Sequence, residues 1–269
     1  MKYAVLCGNG RFPLLALAEA KRLGHEAIAI GIREEASTEI EALAARSHWI
    51  SLGALSRLIE ILKSESCSEV MFCGQVKHAK IFSAIQPDWR LAKLLFSLRE
   101  KNTDALIGGV VKVLADEGIR LVDSTALLKP LLAEEGAMTK RGPDEAERRD
   151  LDYGHRVASH LSEIDIGQSV AVAERACVAV EAMEGTDAML RRAASLAGGK
   201  PLRLVKASRR RAHLLFDVPV VGPVTIEAMR ETNATALGVD AGRTLLLDRE
   251  EFLAQANEAR IAVWGYRAD

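Results

Sequence analysis

Short apolar runs of strand length alternate with helical patterns through the first 130 residues. KYAVLC (2–7) is followed by PLLALAEAKRLG (13–24), EAIAIGI (26–32), SHWISL (47–52), LSRLIEILKS (55–64) and EVMFCG (69–74). Strand, helix and strand in repeat predict a parallel, doubly wound sheet. Leu55, Leu58, Ile59 and Leu62 recur at helical spacing on one face, and Gly24 stands where a glycine would end the preceding helix. These stops put the loop from Gly8 to Pro13 at the carboxyl end of the first strand, the edge at which such sheets bind ligands.

Beyond Asn102 the spacing predicts a helix through Asp116, a strand over IRLVD (119–123) and a helix over LLKPLLAEEG ending at Gly136. The charged stretch TKRGPDEAERRD (139–150), with Gly142 beside Pro143, reads as a linker and divides the chain into 1–137 and 138–269. An amphipathic helix then runs to about Ser162. QSVAVAE and CVAVEAM follow as a hairpin turning at Glu174 to Ala176, and EGTDAMLRRAASLAG as a helix opened by a capping arrangement. PLRLVKA and HLLFDVP read as strands, VTIEAMRETN as a helix, and ATALGVDAG and TLLLD as further strands. A last helix begins at Arg249, and RIAVWG closes the chain as a strand. The fold class is therefore α/β, an N-terminal Rossmann-like parallel-sheet domain plus a second α/β domain, with no sequence repeat of 20–50 residues.

Composition narrows the partners. Lys and Arg number 36 against 37 Asp and Glu, a net charge of −1, and only 4% of residues are aromatic. Neither a charge-driven nucleic-acid binder nor an aromatic base-stacking platform is expected, so nucleic acid is excluded as a partner. With 49% hydrophobic residues the chain can bury sizeable cores of Leu, Ala, Val and Ile. Cys7, Cys67, Cys73 and Cys177 form no C-x-x-C pair and read as reduced cytoplasmic thiols. MKYAVLCGNG lacks the long apolar core of a signal peptide, and no run nears the 18 apolar residues of a spanning helix, so membrane contact is expected to be peripheral.

Several clusters are candidates for chemistry. In GNGRFP (8–13) glycines let backbone N–H groups face a phosphate at a helix N-terminus, but the third glycine of G-x-G-x-x-G is missing and a plain turn reads equally well. CGQVKH (73–78) closes another strand, so Gly74 and Lys77 would share that sheet edge, Lys77 as a phosphate partner or a solvated loop residue. His78 lacks a second histidine at ligand spacing. Thr103 and Asp104 open a helix and are caps or ligand contacts. Glu184-Gly185-Thr186-Asp187-Ala188-Met189 holds more polar groups than capping requires, which points to a ligand. Asp217, at a predicted strand end before Pro219, suits Mg²⁺ or a positioned water, with a turn role as the alternative; Asp240 shares that ambiguity, and Asp248 reads most simply as an N-cap. The basic run Ser208, Arg209, Arg210 and Arg211 would meet phosphates or anionic head groups, or form a solvated loop.

Taken in order, GNGRFP, CGQVKH, Pro87-Asp88, TDALIGGVVKVLADEGI, LLAEEG, DIGQSVAV, VEAMEGTDAMLRRA, FDVPVVGPVTIEA and GVDAGRTLLLDRE resemble the LpxI-type UDP-2,3-diacylglucosamine pyrophosphatase family over nearly the whole chain. The resemblance implies two α/β domains with the substrate between them, and Mg²⁺-assisted hydrolysis of UDP-2,3-diacylglucosamine to UMP and 2,3-diacylglucosamine 1-phosphate (lipid X) in lipid A biosynthesis. It implies a cytoplasmic enzyme peripheral at the inner face of the inner membrane, acting on a lipid-linked UDP-sugar, with monomer or homodimer left open. Asp217 matches the family's catalytic, metal-associated aspartate. Gly10, Gly74, Val76, Lys77, Thr103, Asp104, Lys206 and the run Glu184, Gly185, Thr186, Asp187, Ala188, Met189 would bind substrate. Before Asp217 the family's K-x-x-K-P-x-Q-x-x-R-type stretch is altered: Lys206 and Arg209 match, while Arg210, Ala212 and Leu215 replace proline, glutamine and arginine. Loss of that arginine removes bidentate phosphate donors. It keeps two alternatives open, a non-catalytic nucleotide-sugar or lipid-binding homologue and a hydrolase of another nucleotide diphosphate. A nicotinamide oxidoreductase is disfavoured by the incomplete glycine fingerprint.

Overall fold

The computed structural model describes residues 1–76, 86–98, 103–209 and 218–267, with the backbone alone at Thr103 and Asp104. Contacts divide the chain into two compact units, Met1–Leu128 and Lys129–Asp269.

In the first unit, strands β1 (Lys2–Cys7), β2 (Glu26–Ile32), β3 (Arg46–Ile50), β4 (Glu69–Cys73) and β5 (Arg120–Leu121) form a fully parallel sheet in the order β3-β2-β1-β4-β5. The described helices are α1 (Phe12–Arg22), α2 (Ile40–Leu43), α3 (Leu55–Ser64), α4 (Trp89–Ser97) and α5 (Thr103–Asp116). Strand β2 reads as an unbroken apolar run because it is buried on both faces: Ala27, Ile28, Ala29, Ile30 and Ile32 all lie in the core. Helix α1 ends as its sequence predicts: Gly24, at φ +71°, donates to the Lys21 carbonyl while His25 N–H reaches the Ala20 carbonyl at 2.8 Å, a Schellman closure. Strand order reverses between β1 and β4, so the loops that follow these two strands flank the crevice where doubly wound sheets take ligands.

The second unit contains β6 (Gly136–Ala137), α6 (Glu145–Glu163), β7 (Ser169–Ala173), β8 (Ala176–Val180), α7 (Thr186–Leu196), β9 (Leu202–Lys206), β10 (Val220–Val221), α8 (Pro223–Glu231), β11 (Ala234–Asp240), β12 (Leu245–Leu246), α9 (Arg249–Glu258) and β13 (Ala262–Tyr266). Its main sheet runs β6-β13-β11-β9-β7-β8, with β9, β11 and β13 parallel, and β6 and β7 antiparallel to their neighbours. Side-chain alternation splits the core in two. Leu202 and Leu204 join Met189, Leu190, Ile226, Met229 and Phe252 under α7, α8 and α9, while Val205 joins Leu151, Ala158, Val170 and Val172 under α6. Gly154 permits the close approach of α6, since a Cβ there would lie 2.8 Å from Val205 Cγ2 and 2.9 Å from Val172 Cγ2.

The expected hairpin forms, β7 pairing antiparallel with β8, and Glu174 and Arg175 both take positive φ in its turn. The helix expected over LLKPLLAEEG does not form. Only Lys129–Leu131 make a 3₁₀ turn, Leu132 bridges to Leu245, and Gly136–Ala137 pair with β13, so backbone donors such as Ala133 N–H go to a neighbouring strand segment, here the Thr244 carbonyl. The stretch 139–150 is anchored inside the second unit: Arg141 bonds Glu147 and the Arg260 and Thr235 carbonyls, and Asp144 with Glu147 forms the capping box that starts α6. The strand expected over HLLFDVP falls largely outside the described residues. No helix among the described residues is long and apolar enough to cross a membrane. Cys7, Cys67 and Cys73 are free and buried and Cys177 is free and half-buried; burial pushes the Cys7 thiol up to about 12.

Candidate functional site

In the first unit the two predicted loops meet. Asn9 and Gln75 form a β-bridge, with Asn9 N–H donating to the Gln75 carbonyl at 2.7 Å and Gln75 N–H to the Asn9 carbonyl at 3.1 Å, and Gly8 N–H reaches the Cys73 carbonyl at 2.9 Å. Glycine is required at both ends. A Cβ at Gly8 would lie 2.6 Å from the Gln75 carbonyl oxygen; one at Gly74, which also needs φ +88°, would lie 2.6 Å from the Asn9 oxygen and 2.9 Å from Pro13 Cγ. Gly10 takes φ +95° with open space around it. Helix α1 begins directly afterwards with no side-chain cap bond at its N-cap Arg11 and no acid in its first turn, so the positive end of its dipole faces the loop pair. Val76 follows, half-buried. Gly10, Gly74 and Val76 are thus brought together; Lys77 and His78 lie outside the described residues, as do the side chains of Thr103 and Asp104.

In the second unit three strand ends converge. Ser169 opens β7 opposite Lys206, which ends β9, and Glu181 follows β8, its N–H bonded to the Ser169 carbonyl at 2.9 Å. Gly185, at φ +84°, turns the chain so that Thr186 starts α7 over these ends. The Thr186 hydroxyl donates to Glu181 Oε1 at 2.9 Å and accepts from Lys206 Nζ at 3.2 Å, with Ser169 Oγ 3.3 Å away. Lys206 is 6% exposed and Glu181 8%, and Glu181 Oε2 is buried with no hydrogen-bond partner among the described residues. A buried cation and a buried carboxylate with a free acceptor therefore share one hydroxyl, an arrangement with unused capacity on both charged groups. Asp187, one residue on, is half-buried; burial raises its carboxyl pKa, opposed by the charges of Arg191 and Lys206.

The capping arrangement expected at Glu184 is not what that residue does. Gly185 holds the N-cap position without a side-chain bond, and Glu184 instead pairs with Arg192 at 2.5 Å, which holds its carboxyl below the usual range, and accepts from Ala182 N–H. Ala188 is exposed, and Met189 is fully buried in the core beneath α7, leaving it no surface for a ligand. Asp248 stands at the N-cap of α9 in a left-handed conformation without a cap hydrogen bond.

Asp240 ties strand ends together. His155 Nε2 stands 2.6 Å from its Oδ1, and Ser208 N–H and Oγ reach its Oδ2 at 2.6 and 2.7 Å. Burial pushes the Asp240 carboxyl up, but these bonds and the His155 charge together hold it below the usual range. His155 stacks on Tyr266 with ring centroids 4.2 Å apart, and the Tyr266 hydroxyl donates to Asp152 at 2.7 Å. Arg209 is fixed to the end of α6 by its bond to the Ser162 carbonyl and its pair with Asp165. This network holds 206–209, the segment that leads to Asp217; Asp217 itself, with Arg210 and Arg211, lies outside the described residues. Sequence reasoning missed Glu181, Ser169 and His155, and read Ser208 only as part of the basic run and not as a partner of Asp240. The signal for Glu181 was a carboxylate ending an apolar strand; the other three depend on partners 17 to 85 residues away.

The LpxI N-terminal domain profile matches residues 2–131, and the LpxI C-terminal domain profile matches residues 134–264. The chain belongs to the LpxI family. A relative from Caulobacter vibrioides, UDP-2,3-diacylglucosamine pyrophosphatase LpxI, is 30% identical over 274 residues, covering 98% of this chain and 97% of its own. Among solved structures, UDP-glucose-4-epimerase from Stenotrophomonas maltophila matches 44% of the chain and 34% of its own length at 13% identity and TM-score 0.28. N5-carboxyaminoimidazole ribonucleotide synthetase from Thermotoga maritima matches 64% and 33% at 12% identity and TM-score 0.28. For this LpxI-family chain the N-terminal profile ends at 131 and the C-terminal one begins at 134, close to the contact boundary between its units at Leu128 and Lys129. The glycine-tied loops fall in the N-terminal match and the Glu181–Thr186–Lys206 cluster in the C-terminal one.

Proposed function

We propose that the chain hydrolyses the pyrophosphate bond of UDP-2,3-diacylglucosamine, releasing UMP and 2,3-diacylglucosamine 1-phosphate. The observation that carries this reading is the end-to-end match of both LpxI domain profiles, together with a relative of that activity aligned over 98% of the chain. The residues are suited to the chemistry. In the reaction the oxygen of water bonds to one phosphorus, the bridging P–O bond breaks, and charge gathers on phosphoryl oxygens. Lys206 supplies a positive charge in a largely desolvated setting where electrostatic stabilisation is strongest, and the amides opening α1 beside Gly10 supply neutral donors for phosphate. The unpartnered oxygen of Glu181 is an acceptor for a hydroxyl or imide N–H of the nucleotide. Gly74, Val76, Lys77, Thr103, Asp104 and 184–188 complete the substrate contacts of this reading, and Asp217 is its catalytic residue.

A divalent cation such as Mg²⁺ belongs to the same proposal. Among the described residues no three His, Cys, Asp or Glu side chains stand together as a metal cage. A cation held by Asp217, waters and substrate phosphate oxygens needs no such cage. Bound there, it would neutralise charge on the phosphoryl oxygens. The acylated substrate places the enzyme at the cytoplasmic surface of the inner membrane, peripherally.

The test is UMP release from UDP-2,3-diacylglucosamine in detergent micelles, with Mg²⁺ and with chelator, beside soluble UDP-sugars. Metal-dependent release with preference for the acylated substrate is expected. The altered residues 210–215 favour one second reading, a hydrolase of another nucleotide diphosphate, which equal or faster turnover of soluble UDP-sugars would establish in its place. Saturable binding without UMP release would refute both.

A further inference from the structure

The second unit carries another polar cavity, at the opposite end of its sheet from Lys206. Ala146, Arg149 and Asp150 of α6, Glu174 and Arg175 of the β7–β8 turn, and Lys200, Pro201 and Arg203 before and within β9 line a cleft of about 500 Å³ that is open to solvent on one side. Arg203 and Lys206 are three residues apart on β9, so their backbones are separated by about 10 Å along the strand, and Arg203 faces α6 whereas Lys206 faces α7. The cavity is therefore distinct from the Glu181–Thr186–Lys206 cluster.

Four cations and two carboxylates line it, and both carboxylates are already engaged. Asp150 accepts from the N–H groups of Glu174 (3.2 Å) and Arg175 (2.6 Å) and stands 3.5 Å from Arg203 Nε. Glu174 pairs with Lys200 at 2.5 Å, while Arg149 pairs with Glu145 at 2.6 Å. Arg203 is only 8% exposed; its Nη1 donates to the Pro201 carbonyl at 2.6 Å, Asp150 balances its charge, and its Nε–H has no hydrogen-bond partner among the described residues. Arg175 extends from a turn fixed by Asp150, and its guanidinium makes no bond among the described residues. Three guanidiniums and an ammonium thus surround a space lined by two carboxylates, a net charge of +2 from its side chains. Guanidinium forks match the tetrahedral oxygens of phosphate, and a cavity of this size admits more than the bare ion.

We propose that this cavity binds a phosphate-bearing anion, with Arg175 and Arg203 as its principal donors. The ligand is either a small phosphorylated metabolite or the phosphate of a lipid head group, and the test separates these sources. The full chain is titrated with inorganic phosphate at low salt, reading the backbone amide resonances of Glu174 and Arg175. In parallel, sedimentation is measured with phosphatidylcholine vesicles with and without phosphatidic acid. Saturable shifts with a Kd in the millimolar range or tighter are expected, weakened about tenfold by Arg175→Ala, partly restored by Arg175→Lys, and reduced by added salt. UMP release should not change in either variant. Shifts without vesicle binding assign a soluble ligand; phosphatidic-acid-dependent sedimentation lost in Arg175→Ala assigns a lipid phosphate. Absence of both, or binding indifferent to Arg175→Ala, overturns the proposal.

Discussion

Replacing Asp240 by asparagine removes one charge and keeps the shape. Asp240 is 6% exposed and accepts three hydrogen bonds, one near His155 and two from Ser208. Bonds to a buried charged acceptor are each worth about 1 kcal/mol more than neutral ones, and relief of the carboxylate's desolvation returns part of that. The expected loss is about 2 kcal/mol, or about 4–8 °C in Tm for a unit of this size. Asp240→Ala leaves the buried Ser208 N–H without its acceptor and should cost about 4 kcal/mol. The pH dependence follows from the direction of the pKa. Because the folded value lies below the usual aspartate value, the carboxylate's contribution is complete above its unfolded pKa and is lost as pH falls through the folded one. The difference between parent and Asp240→Asn should therefore be full at neutral pH and shrink below about pH 4. Urea unfolding, read by hydrogen exchange of the β9 and β11 amides, measures it in the second unit. A loss below about 0.5 kcal/mol, or a difference constant with pH, would refute the assignment of Asp240 as the ionised tie between these strand ends.

Three further outcomes are expected. Gly74→Ala should destabilise the first unit by about 2–4 kcal/mol in urea unfolding, from a left-handed backbone and a Cβ against the Asn9 carbonyl, whereas Gly10→Ala, strained only by its φ, should cost about 1 kcal/mol. Lys206→Met should lower kcat/KM for pyrophosphate hydrolysis by about a hundredfold and lower Tm as well, since it leaves the buried Glu181 carboxylate without its neighbouring cation. Asp187 has a raised folded pKa, so its contribution to stability is present below its unfolded pKa and is lost as pH rises through the folded value; Asp187→Asn should stabilise the second unit above that range and not below it, as thermal melts at two pH values would show.

The alternating elements were legible where burial alone decides the pattern. Strands β1, β2 and β4 lie inside the sheet, so their apolar runs carry the whole signal, and glycine is needed at 10 and 74 for a left-handed backbone and at 8 for the close approach of the Gln75 carbonyl. The β7–β8 hairpin was legible because its alternation and its turn agree. LLKPLLAEEG misled because Leu-rich spacing suits a helix equally well, and only the availability of Leu245 and β13 as partners makes it extended. At the site, the Glu184–Met189 run drew notice through its crowded polarity, yet its most engaged members are Thr186, bonded to Glu181 and Lys206, and Glu184, bonded to Arg192. Glu181 acquires meaning only from the register that brings β7, β8 and β9 to one end, and His155 only from a helix packed 85 residues before Asp240. Pairings set by register and helix packing leave no local mark on a single sequence.

The central claim is tested most directly by following UMP release from UDP-2,3-diacylglucosamine with Mg²⁺ for the parent chain and Asp217→Asn side by side, each shown to be folded. The account predicts metal-dependent release by the parent and its loss in the variant. Release that persists at the parent rate in Asp217→Asn, or a folded parent that releases no UMP, would contradict it.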